Sequence, residues 1–160
     1  TGMISTSIFV YLLFKWVLLG DMLINAYYFS MSIYGWYLWT RTKDDDTPLA
    51  PIQWATKKEH FISVLLFVGA IAFVYVVYWK SGHLDSDTAY VDMFTTGLFF
   101  VGMWLMAKRK IENWIYWIAG NIISSPLYFY KGLTFTSFQY VLFTFLAIKG
   151  YQQWKMSLNK

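Results

Sequence analysis

FISVLLFVGAIAFVYVVYW, residues 61–79, runs for nineteen positions without a charged side chain. An α-helix needs about 20 apolar residues to cross a hydrocarbon layer ~30 Å thick, so this stretch reads as a membrane span. Lys57 and Lys58 stand before it and Lys80 follows it. Five further runs are of the same kind: Ile4–Gly20, Met22–Trp39, Thr88–Ala107, Trp114–Tyr130 and Phe135–Trp154. Together the six cover most of the chain and predict an all-α integral membrane protein with six spans.

Composition agrees. Of 160 residues, 58% are hydrophobic, 22% aromatic and only 14% charged, against roughly 25% charged in soluble domains. There are no cysteines, which excludes disulfide frameworks and thiolate metal sites. His60 and His83 are expected in separate loops, and no acids or histidines converge within the spans. Neither a metal, nor a cofactor, nor a catalytic residue is therefore expected, and a membrane enzyme is disfavoured. The first run has no charged leader and no small-residue cleavage site, so it does not read as a removable signal.

The basic residues set the orientation. Arg41, Lys43, Lys57, Lys58, Lys108, Arg109, Lys110, Lys155 and Lys160 fall on one side when the connections alternate; Lys80 and Lys131 fall on the other, with Lys15 near a helix end. Lys and Arg in short loops are retained in the cytoplasm. This predicts a multi-pass membrane protein, its C-terminus cytoplasmic, and the net charge of +4 serves orientation in lipid rather than nucleic-acid binding. Asp44-Asp45-Asp46 reads as a solvated linker. Trp36, Trp39, Trp79, Trp114 and Trp154, at the run ends, read as interfacial anchors.

The chain also repeats itself. Gly35-Trp36-Tyr37-Leu38-Trp39 and Gly150-Tyr151-Gln152-Gln153-Trp154 both fit Gly-aromatic-x-x-Trp before a basic residue, and Tyr11–Trp16 parallels Leu127–Gly132. The offset of about 115 residues divides the chain into a first repeat of two helices (1–39), a cytoplasmic loop and linker helix (40–87), and a second repeat of three helices (88–160). A matching third helix is expected before Thr1, which gives a 3+1+3 bundle of two parallel repeats. Such repeats usually hold their ligand near the midplane between them.

Polar groups within spans face the bundle interior or a water-filled path. At 100° per residue, Trp114, Trp117, Asn121, Ser125, Tyr128 and Lys131 share one stripe, with Ser124 at its edge and Pro126 expected to kink the helix. Asn25, Tyr28, Ser32, Gly35, Trp36 and Trp39 form a comparable stripe in the second span. Gln139, Asp92, Thr95 and Thr96 could extend the lining. Ser32, Thr95 and Thr144 are expected to bond their own backbone. Asn121 and Asn25 can serve either as ligand groups or as bonds between helices, and Asp92 is a candidate for proton coupling. Rings, amides and hydroxyls with few fixed charges suit a flat, neutral or cationic ring bearing a sugar or alcohol. No arginine pair offers itself to a phosphate.

At these residues the chain resembles the bacterial nicotinamide riboside transporter (PnuC) family. The resemblance is carried by Asn25-x-x-Tyr28 leading into Tyr34–Trp39, by Trp114-x-x-Trp117-x-x-x-Asn121, by Pro126–Gly132 and by Gly150-Tyr151-x-x-Trp154-Lys155. It implies a seven-helix fold related to the SWEET sugar transporters, lacking its first helix here, and often assembled as a homotrimer. It implies facilitated diffusion of nicotinamide riboside, trapped inside by a cytoplasmic riboside kinase. By the same resemblance Trp117, Asn121, Tyr128 and Lys131 contact the substrate, with Trp114 nearby and Asn25 contributed by the other repeat. Thiamine or riboflavin carriage on the same scaffold is the alternative.

Overall fold

The computed structural model describes residues 19–43, 47–82 and 88–158. The expected Ile4–Gly20 span and the Tyr11–Trp16 element fall almost wholly outside these residues, as do Asp44–Asp46 and His83. Five α-helices are described: α1 (Leu19–Thr40), α2 (Lys57–Ser81), α3 (Ala89–Ala107), α4 (Asn113–Tyr130) and α5 (Thr134–Ser157). Each contains one of the remaining expected runs nearly end to end. By length and composition alone, α2 over Lys57–Lys80 (mean hydropathy 2.5) and α3 (mean hydropathy 1.3) can cross a membrane.

The chain forms two compact units, Thr1–Pro51 and Ile52–Lys160. In the first, α1 ends in a short turn in which the Lys43 amide donates to Thr47 (2.8 Å) and the Leu49 amide to Arg41 (3.0 Å). Three hydroxyls on α1 fold back on the helix: Ser30, Ser32 and Thr40 each donate to the carbonyl four residues earlier, all at 2.8 Å. Trp36 and Trp39 are exposed.

In the second unit the helices pack in chain order, α3 between α2 and α4, and α5 on α4. Short connections make each neighbour antiparallel. Thr56 and Glu59 start α2 with a capping box, in which the Glu59 amide donates to Thr56 Oγ1 (3.3 Å) and the Thr56 amide to Glu59 Oε2 (2.9 Å). His60 therefore lies in the first turn of a helix rather than in a loop. Gly82, at φ 69°, closes α2 in the left-handed conformation that glycine adopts without strain. The helix α4 continues through Pro126 to Tyr130, so the expected kink does not end it; the ring merely removes the amide that the Ile122 carbonyl would accept.

Outward-facing apolar side chains are abundant. Phe61, Val68 and Trp79 on α2 and Phe135, Phe138 and Phe145 on α5 are each at least half exposed. Patches of that size on a soluble monomer would draw it into aggregates, whereas lipid solvates them. Four glycines bring the helices close in this unit, Gly97, Gly102, Gly120 and Gly150, each with an aromatic ring against its α-carbon.

Candidate functional site

The stripe on α4 turns inward. Asn121 is 2% exposed and Ser124 1%. Among the described residues five buried side-chain polar atoms find no hydrogen-bond partner: Asn113 Oδ1 and Trp114 Nε1 at the start of α4, and Trp117 Nε1, Asn121 Oδ1 and Ser124 Oγ further along it. The last three lie within about 60° of one another around the helix and span ~10 Å along its axis. Each buried unpaired polar atom costs about 1–3 kcal/mol, and lipid can supply no substitute partner. Such a set is unusual in a native interior and makes this stripe the candidate site.

Rings wall this stripe. The Trp117 indole rests on Gly102, where a β-carbon would stand 3.3 Å from Nε1, and lies 5.3 Å from Phe99 at 30°. Phe99 stacks on Tyr140 (6.1 Å, 13°) and Tyr140 on Tyr128 (5.1 Å, 23°). The series of rings Trp117–Phe99–Tyr140–Tyr128 thus joins α4, α3 and α5. It ends at Lys131, whose ammonium lies 5.5 Å from the Tyr128 ring centre and 2.5 Å from Asp92 Oδ2. Asp92 also accepts from the Tyr78 hydroxyl (3.3 Å) and from Thr88 Oγ1 (3.5 Å).

Several expected residues stand elsewhere. Ser125 donates to the Ser137 carbonyl (3.3 Å) while Ser137 returns a bond to the Ser125 carbonyl (2.7 Å), tying α4 to α5. Ser124, placed at the stripe's edge from the sequence, is the buried one. Gln139 is exposed, and its neighbour Tyr140 enters the ring series. Trp114 packs edge-on against Trp154 (5.3 Å, 84°) and over Gly150, so these two tryptophans join helices rather than serve as exposed anchors. Asn25 and Tyr28 are half-buried on α1, in the other unit. Thr95 and Thr144 donate to the Val91 and Tyr140 carbonyls, at 3.0 and 2.9 Å, which with Ser32 fulfils the expectation that all three bond their own backbone. Phe99 and Tyr140 escaped the sequence reading because rings are common throughout the chain.

At the opposite end of α2, α3 and α4 lies a second polar cluster. Glu59 receives Lys108 (2.8 Å) and Lys110 (3.0 Å), and the Ala55 amide donates to both oxygens of Glu112 at 2.9 Å. Gln53 and Lys110 pair in a parallel bridge. An apolar groove of about 610 Å³ on another face of α4, bordered by Thr88, Ile122, Pro126 and Tyr130 among others, holds none of the unpaired polar atoms.

Residues 1–156 match the family model described as nicotinamide mononucleotide transporter. The chain belongs to this family. It is an α-helical membrane transporter, not an enzyme. Among its relatives is the nicotinamide riboside transporter PnuC of Escherichia coli, 24% identical, with 96% of this chain and 73% of that protein aligned. The riboflavin/roseoflavin transporter RibM of Streptomyces davaonensis is 25% identical over 81% of this chain and 61% of its own length. Among solved structures, that of the vitamin B3 transporter PnuC superposes with a TM-score of 0.63 at 25% identity, over 97% of this chain and 69% of that one.

Proposed function

We propose that this protein is a facilitator of nicotinamide riboside uptake across a bacterial inner membrane. The observation that carries the reading is the set of three unpaired polar atoms, Trp117 Nε1, Asn121 Oδ1 and Ser124 Oγ, beside a stack of rings. A flat pyridinium suits the ring faces, a carboxamide complements an amide oxygen and an indole N–H, and a ribose hydroxyl complements a serine. The PnuC relatives favour the same cargo. A phosphate would demand fixed cations, and the lysine nearest the rings already pairs with Asp92. This favours the riboside over the mononucleotide.

Trp117, Asn121 and Ser124 contact the substrate in this reading, with Tyr128 stacking; Asn25 and Tyr28, in the first repeat of a 3+1+3 bundle, are further candidate contacts. Trp114, packed against Trp154 and over Gly150, stands on the same stripe near the cargo. The Glu59 end and the C-terminus face the cytoplasm, the Lys131 end faces outward, and the working assembly is a homotrimer. A cytoplasmic kinase holds the gradient by phosphorylating what enters. Riboflavin is the second reading, favoured by the RibM relative.

Purified protein in liposomes decides between them. Radiolabelled nicotinamide riboside should equilibrate down its gradient without ATP or an ion gradient and should not be displaced by excess thiamine or riboflavin. Uptake of riboflavin in place of the riboside would overturn the substrate.

A further inference from the structure

The Lys131 ammonium occupies a site built for a cation. It lies 2.5 Å from the Asp92 carboxylate and over the Tyr128 ring, 5.5 Å from its centre, and the Tyr78 and Thr88 hydroxyls hold that carboxylate in place. An anion beside an aromatic face recognises organic monocations in general. The occupant is tethered to the chain by a flexible stem. Lys131 follows the last residue of α4 and precedes Gly132 at φ 76°, and its side chain is 28% exposed. A four-carbon stem at a helix end can swing its head group into water at little cost. Tyr128 also begins the series of rings that leads to Trp117.

We propose that Asp92 and Tyr128 form an entry site for a cationic heteroaromatic ring, and that Lys131 is its internal stand-in, displaced into water when such a ring arrives. The exchange replaces one cation with another, so the carboxylate is never left unpaired in a poorly solvated place, where an unpaired charge is costly. It also gives charge selectivity at the mouth. A neutral ring can at most donate a hydrogen bond to Asp92 and lacks the charge attraction with which to compete with the lysine. The inference rests on the transport reading only for the direction in which cargo passes.

Binding of 1-methylnicotinamide, a pyridinium monocation, is compared with that of neutral nicotinamide on the full chain in lipid nanodiscs, by tryptophan fluorescence. Lys131→Met should raise affinity for the cation about threefold or more and leave that for nicotinamide unchanged, and Asp92→Asn added to it should abolish the gain. No gain, an equal gain for both probes, or a gain that survives loss of Asp92 overturns the proposal. A second measurement uses the unaltered chain, in case the variants fail to fold. Acylation of Lys131 by an amine-reactive ester, read by mass spectrometry, should accelerate when 1-methylnicotinamide is added and not when nicotinamide is added; an unchanged rate also overturns it. Failure of riboside uptake would leave both measurements standing, so the two readings fail separately.

Discussion

Trp114 lies over the bare α-carbon of Gly150, where a β-carbon would come 2.5 Å from its ring. The Gly-aromatic-x-x-Trp motif at 150–154 thereby acquires a physical reason. Gly150 lets α5 approach α4 closely enough for Trp154 to meet the edge of Trp114. Gly150→Ala should cost about 1–3 kcal/mol by overpacking, read as a lower unfolding temperature in detergent. Adding Trp114→Phe should recover part of the loss, and a stability unchanged by Gly150→Ala alone would refute the packing role.

Asn121 separates ligand contact from helix glue. Its Oδ1 is buried without a partner, so Asn121→Leu removes an unsatisfied group and should leave stability level or slightly higher. Riboside uptake should nevertheless fall at least about tenfold, because a lost hydrogen bond to a charged or strongly polar ligand is worth about 1.5–3 kcal/mol. A fall in stability with uptake intact would make Asn121 structural.

The Glu59 cluster makes the opposite prediction. Lys110 is 3% exposed, and removing its partner leaves a buried charge alone. Glu59→Ala should cost about 3–5 kcal/mol, seen in thermal unfolding, whereas the paired change Glu59→Leu with Lys110→Met should recover much of it. If the single and double variants unfold alike, the pair contributes little.

Hydroxyls that bond their own helix should be dispensable. Thr95→Val removes a bond to the Val91 and Asp92 carbonyls and keeps the side-chain shape. Uptake kinetics should stay within about twofold of the unaltered chain, since such bonds contribute little to a helix already satisfied. A larger change in KM would assign Thr95 to the pathway.

The helices were legible because their signal is long: nineteen uncharged residues at 61–79 leave few alternatives to α2. Periodicity also found the inward face of α4, since Asn121 and Trp117 recur with its turn. It misjudged Ser124 and Ser125, adjacent residues about 100° apart whose fates depend on Ser137 across the helix pair. Nothing in the local sequence of α4 announces that neighbour. The ion pair of Lys131 with Asp92, thirty-nine residues apart, was hidden for the same reason. A lysine read alone near a binding stripe resembles a ligand contact, and only the folded α3–α4 pair shows that its charge is already matched.

The two ends of the α2–α3–α4 unit are fastened unequally. At one, Glu59 grips two lysines and the 53–55 segment is laced to 109–112 through backbone amides; at the other, one ion pair and the Tyr78 hydroxyl bridge the helices. Mechanically this is a lever with a stiff fulcrum. A tilt of about 10° at the laced end would displace the tip of α4, some 27 Å away along an eighteen-residue helix, by several ångströms. Amide exchange should accordingly be slow across 109–112 and fast around 128–133.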